Sequence, residues 1–185
     1  MDSSNQLRMM VYAALFAALT AVGAFLSIPI GPVPIVLQNM FVYLAGLLLG
    51  SRWGLASVGA YLLVGAVGLP VFAGGLGGIG RFVGPTGGYL IGYLPTVFLI
   101  GKIAHRDAPQ IITDVLAMIC GTLVLYACGV TWLKIVSGMP LGKTLALGMY
   151  PFLIGDAAKI AAAAAIARAL RPIIGVSGHA SRVTG

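Results

Sequence analysis

Charged residues are scarce in this sequence. Asp, Glu, Lys and Arg make up only 8% of the 185 residues, whereas hydrophobic residues make up 59%, and the mean hydropathy is +1.04. In a soluble domain about a quarter of the residues are charged. The shortage of charge therefore excludes a soluble globular protein and predicts an integral membrane protein with one transmembrane domain.

Acidic residues are the rarest of the charged types. Four acidic residues face eleven basic ones, which gives a formal net charge of +7. In a soluble protein such an excess would indicate a nucleic-acid partner, but the chain has no stacking platform and no basic stripe. The tendency of basic residues to remain on the cytoplasmic side of a membrane explains the excess better. We therefore expect a lipid bilayer, and not nucleic acid, around this chain.

Histidine and cysteine are equally rare, with two of each. His105 and His179 lie far apart and outside the apolar runs, so they predict no metal site. Cys120 and Cys128 are eight residues apart, which on a helix is about 12 Å, too far for a disulfide. We interpret them as core thiols. No nucleophile, metal cluster or carboxylate pair stands out, so the sequence does not predict an enzyme.

Long apolar runs are what the sequence has in abundance. The first contains twenty residues, enough to cross a hydrocarbon core of about 30 Å. We predict six membrane-spanning helices and a polar tail at 172–185. The predicted spans are residues 9–28, 37–50, 54–69, 87–101, 111–133 and 145–167.

The basic residues outside these runs predict the orientation of the chain. With both termini inside the cell, seven Lys or Arg residues lie on the cytoplasmic side and three lie outside. The seven are Arg8, Arg52, Lys102, Arg106, Arg168, Arg171 and Arg182. A proline-rich loop after the first span, a glycine-rich loop after the third and the loop 134–143 then share the outer face.

The glycine-rich loop, residues 70–89, is too irregular for a helix and too apolar for a solvated linker. Eight of its twenty residues are glycine and two are proline. Arg81 at its middle is the only charge between Arg52 and Lys102. Irregular backbone is tolerated at membrane depth only when it is buried in protein or lines a cavity. We interpret this loop as one wall of a binding site.

Two glycine-containing strings look like nucleotide-binding motifs. Residues 75–80 match G-x-G-x-x-G, but no acidic residue follows about twenty positions later, as that fingerprint requires. Residues 138–144 resemble a phosphate-binding loop but are one spacer residue short. The chain is therefore not expected to hydrolyse nucleotide.

The sixth run contains the strongest functional signal, because Asp156 and Lys159 share one helix face at a spacing of three. Ionisable residues within a membrane span are costly and mark functional sites by default. The alternative is a self-neutralised structural ion pair.

Asp114, near the start of the fifth run, is interpreted as a structural residue at a helix N-terminus. Gln38, after the proline-rich loop, either orients a polar ligand or caps backbone groups freed by the prolines.

A stripe of small residues at four-residue spacing runs along the first span: Ala13, Ala17 and Ala21. Such stripes let another helix approach closely. The stripe indicates either a partner protein or ordinary packing within the chain.

Four segments together resemble the hallmark blocks of the BioY family, the biotin-binding S components of energy-coupling-factor (ECF) transporters. They are residues 31–38, 68–74, 84–89 and 151–159. The resemblance extends over residues 8 to 172. One departure is Ile154, where many members have a second proline before the Gly-Asp pair.

The resemblance implies an all-α protein of six transmembrane helices that captures biotin from outside a prokaryotic cell. It implies as partners a transmembrane coupling protein, which packs on the stripe of Ala13, Ala17 and Ala21, and two ATP-binding-cassette ATPases that use the ATP. No cofactor is implied. Some members are reported to act without that machinery, so solitary uptake remains open.

The chemistry of biotin fits the residues already singled out. Asp156 can accept from the ureido N–H groups, Lys159 can donate to the ureido oxygen, and Arg81 can hold the carboxylate bidentately. Candidates to cover the apolar bicycle are Phe41, Phe72, Tyr89 and Trp132, and Gln38 adds a further polar contact. A non-transporting membrane assembly subunit would explain the alanine stripe, but not the three charged residues.

Overall fold

Helices dominate the structure, a computed structural model that describes residues 3–29, 31–104 and 110–174. The predicted all-α class is confirmed. The helices are α1 Ser3–Phe25, α2 Gln38–Ala66, α3 Gly80–Val83, α4 Gly87–Ala104, α5 Ile111–Ser137, α6 Leu141–Gly148 and α7 Leu153–Ile174. The other elements are a 3₁₀ turn, Tyr150–Phe152, and two short strands, β1 Ser27–Ile28 and β2 Ile35–Val36.

Four of the described helices, α1, α2, α4 and α5, are long and apolar enough to cross a membrane. The predicted spans 37–50 and 54–69 both correspond to α2, which begins at Gln38 and ends at Ala66. The predicted count of six remains a prediction. The histidines, Arg106, Arg182 and residues 175–185 of the predicted tail lie outside the described residues, and residues 172–174 belong to α7.

The chain reverses direction within α2, at Gly50. Its φ of 74° and ψ of −176° are not helical, and this region of backbone conformation is essentially restricted to glycine. A side chain built on Gly54 would lie 3.4 Å from the carbonyl oxygen of Ala45. In a straight helix nine residues rise about 13 Å. Residues 38–49 and 51–66 therefore form an antiparallel hairpin. Its reversal lies next to residues 51–53, which separate two of the predicted spans.

Small residues allow α4 to pack tightly against this hairpin and against α5. A side chain on Gly101 of α4 would collide with the backbone of Ser51 at the reversal, and one on Gly88 would collide with Trp132 of α5. The α4 helix thus lies between α2 and α5, while α1 and α7 pack on α2. The core lies where these helices meet.

The predicted sixth span, 145–167, differs from the structure. The chain leaves helix α6 at Gly148, forms the 3₁₀ turn and begins α7 only at Leu153. Proline lacks an N–H and clashes with the preceding turn, which favours a break at Pro151, here within the 3₁₀ turn. The break turns α7 so that Asp156 and Lys159 lie in its first two turns.

The glycine-rich loop folds back onto the protein, as expected. The amide of Gly78 donates to the carbonyl of Gly65 at 2.7 Å. The ring of Phe72 lies on Gly65, where a side chain would collide with it, and makes edge-on contacts with Tyr61 and Phe82. The loop is therefore anchored through Phe72 on the end of α2.

The proline-rich loop is also more ordered than a simple break between helices. Its two strands pair antiparallel, with Ser27 opposite Val36. The amide of Leu37 donates to the carbonyl of Gly23 at 3.2 Å, which ties the start of α2 to the end of α1.

The two cysteines differ in their surroundings. Both are free thiols, but Cys120 is exposed on α5 and Cys128 is half-buried. The interpretation of both as core thiols is therefore wrong for Cys120, which lies on the outward face of its helix. Among the described residues, no cluster of His, Cys, Asp and Glu could hold a metal ion.

Candidate ligand-binding site

A cavity lies where the proline-rich and glycine-rich loops meet α2, α4, α5 and α7. The space open to the centres of water molecules is ≈ 60 Å³. All six residues predicted to bind a ligand line it: Gln38, Phe72, Arg81, Tyr89, Asp156 and Lys159. Further lining comes from Val33 and Pro34, from Asn39, and from Tyr93, Tyr126 and Phe152.

The carboxylate of Asp156 is the centre of the polar wall of this cavity. Its Oδ1 accepts from Lys159 Nζ at 2.9 Å and from Asn39 Nδ2 at 2.8 Å. Its Oδ2 accepts from the hydroxyl of Tyr126 at 2.5 Å. Asn39 belongs to α2, Tyr126 to α5 and Lys159 to α7, so one carboxylate joins three helices.

Asp156 and Lys159 form a buried ion pair that also lines the cavity. Their residues are 4% and 8% exposed. A carboxylate offers about four acceptor positions and an ammonium offers three donors. Within the described residues, Asp156 accepts three hydrogen bonds and Lys159 donates one. One acceptor position and two donors are thus left for a ligand, so pairing and ligand binding are compatible.

A relay of hydrogen bonds leads from Asn39 away from the cavity. Asn39 Nδ2 donates to the hydroxyl of Tyr43 at 3.3 Å, and that hydroxyl lies 2.8 Å from Thr122 Oγ1. Thr122 Oγ1 donates to the carbonyl of Met118 at 2.8 Å, so the Tyr43 hydroxyl is left to donate to Thr122. The relay holds the asparagine amide between α2 and α5.

Arg81 reaches the cavity from α3, in the middle of the glycine-rich loop. Its backbone amide donates to Gly78 at 3.1 Å. Its Nε is buried and has no hydrogen-bond partner in the described part of the chain. The two ion pairs found there are Asp156–Lys159 and Asp114–Arg171. The guanidinium therefore has no acidic partner among residues 3–29, 31–104 and 110–174.

Gln38, in the first turn of α2, is 2% exposed. Its Nε2 is buried and makes no hydrogen bond to any described residue. An unmade hydrogen bond to a buried group costs about 1–3 kcal/mol. The described residues thus show no backbone capping by this amide, and the ligand-orienting role stays a prediction.

Aromatic side chains form the apolar walls. The Tyr89 hydroxyl donates to the carbonyl of Gly148 at 2.6 Å, and its ring lies against Gly129, where a side chain would collide with it. Phe72 and Tyr89 therefore line the cavity, as predicted. Two other candidates do not: Phe41 packs against Gly23, and the indole of Trp132 donates to the carbonyl of Gly84 at 3.0 Å.

The sequence reasoning missed Asn39 and Tyr126, the two residues that hold Asp156 from other helices. Asn39 carried a signal, because it is a second amide side chain next to Gln38 in an apolar span. Tyr126 carried none, since tyrosine is common in membrane helices and its partner is thirty residues away.

Asp114 takes the structural role that was expected. It lies in the first turn of α5 and is buried. In addition, both of its oxygens accept from Arg171 near the end of α7, at 2.6 and 2.7 Å. This pair lies outside the cavity and ties α5 to α7 near the other end of both helices.

The alanine stripe lies at the edge of the packed face of α1. Ala13 is buried, whereas Ala17 and Ala21 are half-buried. The centre of that face is formed by Phe16, Thr20 and Ala24. The stripe thus takes part in packing within the chain and leaves part of its surface open.

The chain is similar in sequence to known biotin transporters. The family model described as the BioY family matches residues 1–175. The probable biotin transporter BioY of Pyrococcus horikoshii is 44% identical over 158 residues, which cover 85% of this chain and 93% of the relative. The biotin transporter BioY of Thermotoga maritima is 40% identical over 167 residues, which cover 90% of this chain and 98% of the relative.

A solved structure has the same fold. It is the crystal structure of the S-component for biotin from an ECF-type ABC transporter, and it is 37% identical in sequence. The TM-score is 0.86, and the match covers 93% of this chain and 95% of the other.

Proposed function

Because the chain belongs to the BioY family, we propose that it captures biotin with high affinity and takes it up as the substrate-binding subunit of an ECF-type transporter. The observation that carries this proposal is the cavity itself. Its lining combines a polar wall around Asp156, aromatic side chains, and Arg81, which has no acidic partner in the described part of the chain. The relatives are named as transporters, and the chain is a transport protein rather than an enzyme.

The polar wall has the groups that a ureido ring requires. The ring has two N–H donors and one carbonyl acceptor. The two donors that Lys159 retains beside its ion pair suit the carbonyl oxygen, and the position left on Asp156 suits one N–H. Gln38, whose Nε2 is buried without a partner, supplies a further polar contact.

The loop side of the cavity has the group that the ligand's tail requires. A cation in an apolar loop is costly to bury unless something compensates it. The biotin carboxylate does so by binding the planar guanidinium of Arg81 through two oxygens. Phe72 and Tyr89 cover the apolar bicycle between the two polar contacts.

The proposed partners are a transmembrane coupling protein and two ATP-binding-cassette ATPases, with ATP used by the ATPases only. The partly open stripe of Ala13, Ala17 and Ala21 is the proposed contact with the coupling protein, since small residues allow close helix approach.

The proposed location is the plasma membrane of a prokaryote. No cofactor is required in this proposal. Solitary uptake without the ATPases is the second candidate, and a membrane assembly subunit that transports nothing is the third.

Calorimetric titration of the purified protein with biotin in detergent tests the binding function. We expect saturable binding by the native chain, and at least tenfold weaker binding by Asp156→Asn and by Lys159→Ala. A hydrogen bond to a charged group is worth about 1.5–3 kcal/mol, which spans that factor.

Asp114→Asn is the matched control, because it neutralises the other buried carboxylate without touching the cavity. It should lower thermal stability and leave biotin affinity unchanged. Native affinity in both cavity variants would leave Asp156 and Lys159 as a structural ion pair. Absence of binding by the native chain would favour the assembly subunit.

A further inference from the structure

The orientation of the Asn39 amide follows from its neighbours. The group that faces Asp156 Oδ1 at 2.8 Å must be the NH₂, because a carboxylate only accepts hydrogen bonds. The second N–H of the same group points to the Tyr43 hydroxyl at 3.3 Å. Both donors of Asn39 are therefore used, and its carbonyl oxygen points elsewhere.

That carbonyl oxygen is the unusual feature of the side chain. Asn39 is 4% exposed, and its Oδ1 is buried with no hydrogen-bond partner among the described residues. Buried polar atoms almost always have a partner. Asn39 also lines the cavity, so a donor of a ligand bound there is the candidate partner for this oxygen.

The count of acceptors shows what that donor is. A ureido ring presents two N–H groups, whereas Asp156, which already accepts from Asn39, Tyr126 and Lys159, has one position left. One N–H of the ring would remain without an acceptor if the carboxylate acted alone. The free position is on Oδ2, because Oδ1 already accepts from both Asn39 and Lys159. The amide that carries the Asn39 oxygen is itself bound to Oδ1, so this oxygen belongs to the same polar wall.

We propose that Asn39 determines ligand specificity by accepting the second ureido N–H through its Oδ1. This inference rests on the proposed function and deepens it, since it assigns the site to cyclic ureas with two free N–H groups. The carboxylate of Asp156 only accepts hydrogen bonds, so it keeps the amide nitrogen on its own side and leaves the oxygen of Asn39 as the acceptor.

Two biotin analogues test the assignment, each with one ureido N–H replaced by a ring oxygen to give a cyclic carbamate. The native protein should bind both more weakly than biotin. Asn39→Ala should bind biotin at least tenfold more weakly than the native protein. Asn39→Ala should bind biotin and one of the two analogues with about equal affinity. It should still prefer biotin to the other analogue as strongly as the native protein does.

The ratio of affinities within one variant is insensitive to general damage. Tyr43→Phe is the matched control, because it removes the other partner of the amide and leaves Oδ1 in place; it should keep both native ratios. If Asn39→Ala does not fold, Asn39→Thr serves instead. Because the threonine hydroxyl can donate to the carbamate oxygen, this variant should show a smaller ratio of biotin affinity to affinity for the same analogue.

Unchanged ratios for both analogues in the Asn39 variants would overturn the inference while leaving the proposed function intact. Failure of the native chain to bind biotin would overturn the proposed function itself.

Discussion

Arg81 is the residue whose role the structure makes most accessible to experiment. If it holds the ligand's carboxylate, Arg81→Ala should weaken biotin at least tenfold and biotin amide much less, since the amide tail is uncharged. Arg81→Lys should restore only part of the loss, because a point charge cannot reproduce the planar fork. Titrations of both ligands against both variants check this.

Comparison of the two ligands separates the carboxylate contact from damage to the loop. Equal losses for biotin and its amide would mean that Arg81 only shapes the loop. The carboxylate would then need another donor, and the buried Nε2 of Gln38 is the next candidate.

At the residue scale, sequence reasoning found the charged residues of the candidate site together with Gln38, Phe72 and Tyr89, but it missed Asn39 and Tyr126. Asp156, Lys159 and Arg81 could be predicted because a charge in an apolar segment has a large free-energy cost, which indicates a functional role. Asn39, although it is an amide next to Gln38, and Tyr126 were missed because a neutral polar side chain costs less in an apolar segment than a charge does. Its role becomes clear only when its partner is known. That partner is 117 residues away for Asn39 and thirty for Tyr126.

At the scale of helices, the close approach of α4 to the α2 hairpin depends on a missing side chain. Gly101→Ala should place a methyl group against the backbone of Ser51 and Gly50, which cannot yield as a side chain would. Overpacking of this kind costs about 1–3 kcal/mol. We therefore expect a lower melting temperature in detergent, measured by thermal unfolding, with biotin affinity nearly retained.

Gly59→Ala is the control on the same hairpin. A side chain at Gly59 meets nothing within 4 Å, and alanine is favoured over glycine in a helix by about 0.5–1 kcal/mol. Its melting temperature should be equal to or above the native value. A Gly101→Ala protein as stable as Gly59→Ala would show that α4 and the hairpin can separate at no cost.

The helices themselves were predictable from run length, whereas their interruptions were only partly so. The polar pair Ser51-Arg52 ended one predicted span at residue 50, and the reversal at Gly50 lies at that end. The break before α7 was missed although Pro151 signalled it, since the apolar run continues through 145–167. The length of an apolar run thus predicts a hydrophobic segment but not the continuity of its helix.

For the whole transporter, the alanine stripe links this chain to its proposed partners. Ala17→Trp should block close helix approach, abolish biotin uptake by cells that express the complete system, and leave biotin affinity intact. Leu15→Trp is the matched control. Leu15 lies on the outward side of α1 and is 50% exposed, so this variant should transport biotin normally.

Co-purification with the coupling protein completes that experiment. If uptake and co-purification both survive Ala17→Trp, the stripe serves only packing against α2. If uptake also persists after the two ATPases are deleted, the solitary transporter becomes the better description.

The indole of Trp132 is hydrogen-bonded to Gly84, at the end of the loop that carries Arg81. The sequence contains only one other tryptophan, Trp53, which lies near the reversal of α2. Trp53→Phe would therefore leave a single tryptophan, hydrogen-bonded to the loop that forms one wall of the cavity. Its emission wavelength and quenching would follow the loop as a ligand enters, so the protein has an intrinsic fluorescent reporter at the place where capture would be seen.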